Sequence, residues 1–365
     1  MVQPKIAIIY LSFHSERHLD DAVSVWKRLV YPKDRLTCVI VDNFHPTYGS
    51  SVRYLEEQVL PLSQKELPEV VILPQKENLG FAGGNNAGIR WAVDHGFDYV
   101  YLHNDDGFMT TNTLQPLVRA MEEDSQIGLA QSLLLLHPDT EYVNAAGNVM
   151  HYLGFGFCNE YRTRFADLRI PRVSDIGYAS GAAVLLRTDL LKRFGLWDKD
   201  FFLYHEDMEY SLRLRIAGYR AVVVRDSIFY HKYQFGRSME KFYWMERNRF
   251  GVLLMFFRIP TLMLLFPMLL LMEAGQWLFA LRSGTTRIRL SVYRYWLNPT
   301  HWKLWHGKRR TIQAIRKVRD RELLKTASPT IRFQEKIMQN ALLSYFGNPI
   351  MWLYYWVAVR GLIWW

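Results

Sequence analysis

Residues 101–109 read YLHNDDGFM, and the fold is worked out from this stretch. A short apolar run stops at Asn104, Asp105 and Asp106, and Gly107 follows at once. Adjacent carboxylates at the end of a buried strand repel each other and lose hydration, a cost that a hard divalent cation with oxygen ligands relieves. A solvated turn is the competing reading, because Asn, Asp and Gly all favour turns. The stretch alone leaves both open.

Its surroundings alternate strand and helix. Lys5 to Leu11, Leu36 to Val41, Glu69 to Leu73 and Tyr99 to Leu102 read as short buried strands. Ala22, Val23, Trp26 and Leu29 recur at helical spacing, and Asn85 to His95 predicts a helix that Gly96 closes. This alternation predicts an α/β fold with a mostly parallel central sheet, and ligands of such sheets bind beyond the carboxyl ends of the strands. Asp42 and the Asn104–Asp106 cluster both fall there, although Asp42 alone also reads as a turn residue.

Between them lies PQKENLGFAGGNNAGI, Pro74 to Ile89. Its glycines interrupt the start of the helix and predict a turn whose backbone N–H groups approach a phosphate or sugar. It contains neither the dinucleotide fingerprint nor a Walker loop, which disfavours a dehydrogenase. Further on, Ser180 and Gly181 precede a strand-like run, where small residues let a ligand lie against the backbone. Glu206 and Asp207 open a helix. Capping is one reading, and a general base for a hydroxyl is the other. His231 follows a later strand, and alone reads as a packing histidine.

The 365 residues are half hydrophobic and 15% aromatic, enough for a large core, which excludes wholesale disorder. Cys38 and Cys158 stand in no metal-ligand spacing, which points to a reducing compartment and away from a disulfide scaffold or zinc site. The start, MVQPKIAIIYLSF, reads as a first strand rather than a signal peptide. Net charge is +10, and Arg282 to Lys336 alone carries 15 Lys and Arg against 3 acids.

Taken together, the motifs resemble the family-2 nucleotide-sugar glycosyltransferases of GT-A fold, in the bacterial rhamnosyl- and galactofuranosyltransferase branch. The carriers are VDN at Asp42, NLGFAGGNNAGI from Asn78, NDD from Asn104, SGAAVLLR from Ser180, FFLYHEDMEYSLR from Phe201, and His231. They stand in the family's order over roughly residues 4 to 250. The resemblance implies that Asp42 binds the base side of a UDP- or dTDP-linked donor. It places Asn78, Gly80, Phe81, Gly83, Asn85, Asn104 and Asp105 with that donor, and Asp106 and His231 on Mg²⁺ or Mn²⁺. Asp207 becomes the base of an inverting transfer, with Glu206 supporting it, and Ser180, Gly181 and Glu206 meet the acceptor. The sequence departs from the family after Asp42, where NFHPTYGS stands, and in having Asn-Asp-Asp, so the base and the role of Asp105 stay open. A catalytically silent, scaffolding relative is the alternative.

A catalytic domain is expected over residues 1–249 and a helical, basic and apolar region over 250–365. The run from Ile259 to Met272 is 14 residues, short of the ~20 that cross a bilayer. It is expected to lie in one leaflet, with a spanning hairpin as the alternative, and the Trp- and Tyr-rich stretch from Pro349 to Trp365 is another such piece. The basic segment between them fits membrane lipids and a lipid-linked or oligosaccharide acceptor better than nucleic acid, for which no recognition motif is present. Together these features predict a peripheral or monotopic protein on the cytoplasmic face of the cell membrane.

Overall fold

Four apolar runs form β1 (Ile6–Ser12), β2 (Leu36–Asp42), β3 (Glu69–Pro74) and β4 (Tyr99–Asn104). Every residue of β1 and β2 is buried, as continuous hydrophobic strands of a parallel sheet require. The structure, a computed structural model, describes residues 3–232, 239–332 and 341–365. Between these strands come α1 (Glu16–Trp26), the single turn α2 (Val52–Tyr54) and α3 (Gly80–Asp94). After β4 the chain forms β5 (Gly107–Met109), α4 (Leu114–Glu123), β6 (Ile127–Leu136), β7 (Val143–Ala145), β8 (Asn148–Met150) and β9 (Gly156–Cys158). Then follow β10 (Val173–Asp175), β11 (Ala183–Arg187), α5 (Thr188–Phe194), α6 (Glu206–Ile216) and β12 (Arg220–His231).

The main sheet runs β10-β12-β6-β11-β4-β1-β2-β3, with β5 on β12 and β7 on β6. β1 is parallel to β2 and β4, and β2 to β3. β11 is antiparallel to both β4 and β6, so β6 and its parallel partner β12 point the same way as β4. Asp42, Asn104 and His231 therefore leave the sheet at one edge.

Helix α3 begins at Gly80, earlier than the sequence suggests, and its glycines lie within the helix rather than interrupting it. A Cβ on Gly84 would come within 2.5 Å of Leu11 Cδ1, and one on Gly88 within 2.5 Å of Ile9 Cγ2. These glycines let the helix lie directly on β1.

The described chain divides into two units. One comprises Met1–Asn148, Cys158–Phe202 and Tyr219–Gln234, and holds the sheet; the other comprises Val149–Phe157, Leu203–Gly218 and Phe235–Trp365. The second unit is helical, with α6 joined by α7 (Met239–Phe256), α8 (Ile259–Ser283), α9 (Thr286–Trp296), α10 (Pro299–Ala314), α11 (Asp320–Leu324) and α12 (Asn348–Tyr354).

Helix α8 runs for 25 residues through Pro267 and Glu273, where the sequence suggested a shorter run. Pro260 stands in the first turn, where its missing N–H is harmless. Glu273 is neutralised by Arg249 at 2.8 Å and by Arg289. By length and composition α8 could cross a membrane. Met263, Phe266, Leu270 and Leu281 on it are exposed, Met263 to 71%.

Part of the basic segment is internal. Arg309 donates to the Phe257 carbonyl at 2.6 Å and Gln313 to that of Met255 at 2.8 Å, which caps the end of α7. Buried Asp320 accepts from the Arg258 N–H (2.8 Å) and the Thr261 hydroxyl (2.6 Å) and pairs with Arg316 (2.8 Å). The polyanion-facing charge read from the sequence is thus narrowed to exposed residues such as Arg287, Arg294 and Arg310. The end of that segment, residues 333–336, lies outside the described residues.

Candidate functional site

The sheet edge gathers most of the expected residues. Asp106 Oδ1 accepts from Asn104 Nδ2 at 2.6 Å and lies 3.0 Å from His231 Nε2. The other ring nitrogen, Nδ1, lies 2.8 Å from Asn144 Oδ1 and donates to it. The ring held this way turns Nε2 toward a carboxylate oxygen. A nitrogen and an oxygen at that distance share a proton or a metal cation between them. Two adjacent ligands of an octahedral ion, each about 2.1 Å from it, stand about 3.0 Å apart, so the pair fits Mg²⁺ or Mn²⁺. Among the described residues no group of three or more His, Cys, Asp or Glu gathers as a complete ligand set.

Gly107 makes this approach possible. A Cβ there would come within 2.2 Å of Phe229 Cε1 and 2.6 Å of the Tyr230 carbonyl oxygen, so only glycine brings β5 against β12. Burial works against ionisation of Asp106, yet His231, with His18 and a backbone hydrogen bond, outweighs it, and the carboxyl is held below the usual range. Asp105 goes the other way. Burial, then the charge of Asp106, pushes it up to about 7. The two carboxyls of the pair are therefore unlike. Beneath them His103 is buried, and desolvation holds it neutral, down to about 4.

Asp42 is buried at the end of β2, and its carboxylate accepts from the Ser50 hydroxyl at 2.5 Å and the Ser51 N–H at 3.1 Å. It thereby fixes the loop after β2. That loop presents aromatic rings: His14 stacks on Tyr48 with centroids 4.8 Å apart, and His45 lies 4.4 Å from Phe13. Tyr48 is exposed.

The glycine–asparagine stretch has a different part from the one its sequence suggests. Asn43 Oδ1 accepts from the Leu79 N–H, and Asn78 Oδ1 from that of Gly80. The Phe202 carbonyl accepts from the N–H groups of Phe81 and Ala82. These donors at the start of α3 are engaged within the protein, so the expected open phosphate cradle is not formed. Asn85 is buried and donates to the Phe81 carbonyl, and Gly83 is half-buried on the same helix. The acceptor-side expectation meets packing too. A Cβ on Gly181 would lie 2.8 Å from both Phe81 Cε1 and Trp197 Cη2. The Ser180 N–H is held by Gln131 Oε1 at 2.7 Å.

Asp207 and Glu206 open α6 in the second unit. Asp207 Oδ1 accepts from the Met208 N–H at 2.7 Å. Burial, and then the negative charge of Asp207, raise Glu206 well above the usual range.

Sequence reasoning missed Asn43, Asn144 and Lys232. Lys232 Nζ pairs with Asp21 beside His18, and its N–H donates to the Asp106 carbonyl at 2.7 Å. A lone Asn in an apolar run gives no signal of its partner.

Comparison with known proteins gives the family and the fold. Residues 4–250 match the family described as Glycosyltransferase like family 2. Two Mycobacterium tuberculosis strains have an N-acetylglucosaminyl-diphospho-decaprenol L-rhamnosyltransferase 28% identical over 188 residues, 45% of this chain. The match spans 60% of the length of those relatives. Among solved structures, GalNAc-T7 with UDP, GalNAc and Mn²⁺ matches 69% of this chain and 48% of its own, with a TM-score of 0.54 at 13% identity. TarS of S. aureus matches 69% of this chain and 40% of its own, with a TM-score of 0.46 at 17% identity. The fold is GT-A, and the chain belongs to glycosyltransferase family 2.

Proposed function

We propose that the protein is an inverting, metal-dependent glycosyltransferase that moves a sugar, rhamnose first among candidates, from a UDP- or dTDP-linked donor to a hydroxyl of a lipid-linked glycan. The observation that carries this is the Asp106–His231 pair, with Asn144 fixing the ring. Asp106 and His231 would hold the divalent ion, which would supply positive charge against that of the departing nucleoside diphosphate. Asn104 orients the Asp106 carboxylate. Asp42 holds the loop against which a nucleobase stacks, on the exposed face of Tyr48. The acceptor oxygen bonds to the anomeric carbon from the face opposite the diphosphate, whose bond to that carbon breaks. Asp207 takes the hydroxyl proton, with Glu206 beside it supporting that role.

The 28% identical mycobacterial relatives are named for a lipid-diphosphate acceptor, which supports the same class here. The uninterrupted apolar run Ile259–Met272, which ends at the ion-paired Glu273, is about 21 Å of helix against a hydrocarbon core of about 30 Å. We read this part as lying in the cytoplasmic leaflet, with exposed Trp352 and Trp356 at headgroup level.

The test is calorimetry with UDP and dTDP, with and without Mn²⁺, on wild type and Asp106→Asn, beside turnover of a panel of nucleotide sugars. Mn²⁺-dependent binding lost in the variant is expected. Binding indifferent to Mn²⁺ overturns the metal role, and no turnover of any donor favours the silent scaffold.

A further inference from the structure

Helix α7 carries Arg247, Asn248 and Arg249 in succession, all three buried. Asn248 Nδ2 donates to two consecutive carbonyls, those of Leu203 at 3.0 Å and Tyr204 at 2.6 Å. Asn248 Oδ1 is gripped by Arg247, from Nε at 2.8 Å and Nη2 at 2.6 Å. The Arg247 guanidinium lies 4.4 Å from the Trp244 ring and 5.0 Å from that of Tyr295, which fixes it in turn. Arg249 donates to the Leu153 carbonyl at 3.2 Å, and the next carbonyl, Gly154, accepts from His205 Nε2 at 3.1 Å. Leu203, Tyr204 and His205 are thus held by α7 directly or through residues 153–154.

These residues form the turn that enters α6. Tyr204 and His205 have φ of +66° and +69°, left-handed values that bulky side chains avoid. Such a conformation persists only where the surroundings over-determine it. The buried Asn248 carboxamide does so by satisfying two carbonyls at once, because a right-handed turn would swing one of them away from its donor. The turn ends directly at Glu206 and Asp207.

We infer that Arg247 and Asn248 are positioning residues for the proposed base: they lock the Leu203–His205 turn left-handed and so set the direction of Asp207. Neither touches the reacting atoms. The inference rests on the reading of Asp207 as base, and its test separates the two.

The experiment uses the full chain in detergent as wild type, Asn248→Leu, Asn248→Asp, Asp207→Asn, and Val252→Ala, a buried α7 control. Amide hydrogen exchange over residues 203–212 needs no substrate. It is expected to speed up at least tenfold in both Asn248 variants and to stay at the wild-type rate in Val252→Ala. Unchanged exchange in Asn248→Asp, where Arg247 retains an oxygen to pair with, overturns the inference. On the donor that wild type turns over, the Asn248 variants are expected to lose about tenfold or more in kcat with an unchanged KM for donor. A rise in KM with kcat intact also overturns it. Turnover surviving in Asp207→Asn removes the base assignment, while exchange still decides the turn.

Discussion

The His231 imidazole and the Asp106 carboxylate face each other across 3.0 Å with a ring nitrogen and an oxygen, each able to bind one cation. Asn144 supports that arrangement from behind. Asn144→Leu removes the acceptor that fixes the ring, and Mn²⁺ affinity in the presence of UDP or dTDP is expected to fall about 10- to 100-fold. Electron paramagnetic resonance of free Mn²⁺ measures this directly. An unchanged affinity would show that the ring needs no such support.

Asp105 predicts a pH dependence of stability. Its folded pKa, about 7, lies above the ordinary value of 3.8, so the native state binds more protons than the unfolded state between them. Metal-free protein therefore loses stability as pH rises from about 4 to about 7. Asp105→Asn lacks this loss, so the variant gains on wild type across that window. Urea unfolding in EDTA at pH 5 and pH 8 checks it, and parallel curves for the two proteins would refute it.

Gly107→Ala is expected to cost about 1–3 kcal/mol through overpacking, because its Cβ would overlap Phe229 and the Tyr230 carbonyl. Mn²⁺ binding should weaken with it as β5 is pushed from β12. Full metal affinity at reduced melting temperature would mean that Asp106 reaches His231 without the close approach.

Asp320→Ala leaves Arg316 buried without its carboxylate and the start of α8 without its acceptor. About 3–5 kcal/mol of stability should disappear, read as an earlier urea midpoint. A shift below about 1 kcal/mol would place Asp320 among exposed ion pairs in energetic terms.

Met263→Glu combined with Phe266→Glu tests membrane docking. Wild type is expected to float with anionic vesicles even in high salt, because apolar insertion is not screened. The double variant should remain in the soluble fraction. Flotation of both proteins would move the contact away from α8.

The strands were legible because uninterrupted Val, Ile and Leu runs have one stable use, and Asn104–Asp106 was legible because charge ending such a run is costly. The start of α3 was not. Its N–H groups are satisfied by Asn43 and by the backbone carbonyl of Phe202, and a carbonyl has no signature in sequence. Gly84 and Gly88 looked like turn residues, whereas Leu11 and Ile9 across the interface decide that they are packing residues. The length of α8 was hidden for a similar reason. Glu273 reads as an interruption until Arg249 and Arg289 are seen beside it.

Asp106 and His231 are 125 residues apart in the chain, and β6 to β11 lie between them in sequence. Contacts of such separation form late, after nearer pairings have reduced the entropy of closing the loop. A nascent chain that ends before β12 holds Asn104–Asp106 but lacks the imidazole, and it cannot capture the proposed ion on that pair. The proposed cation site is complete only once β12, the strand that carries His231, is in place.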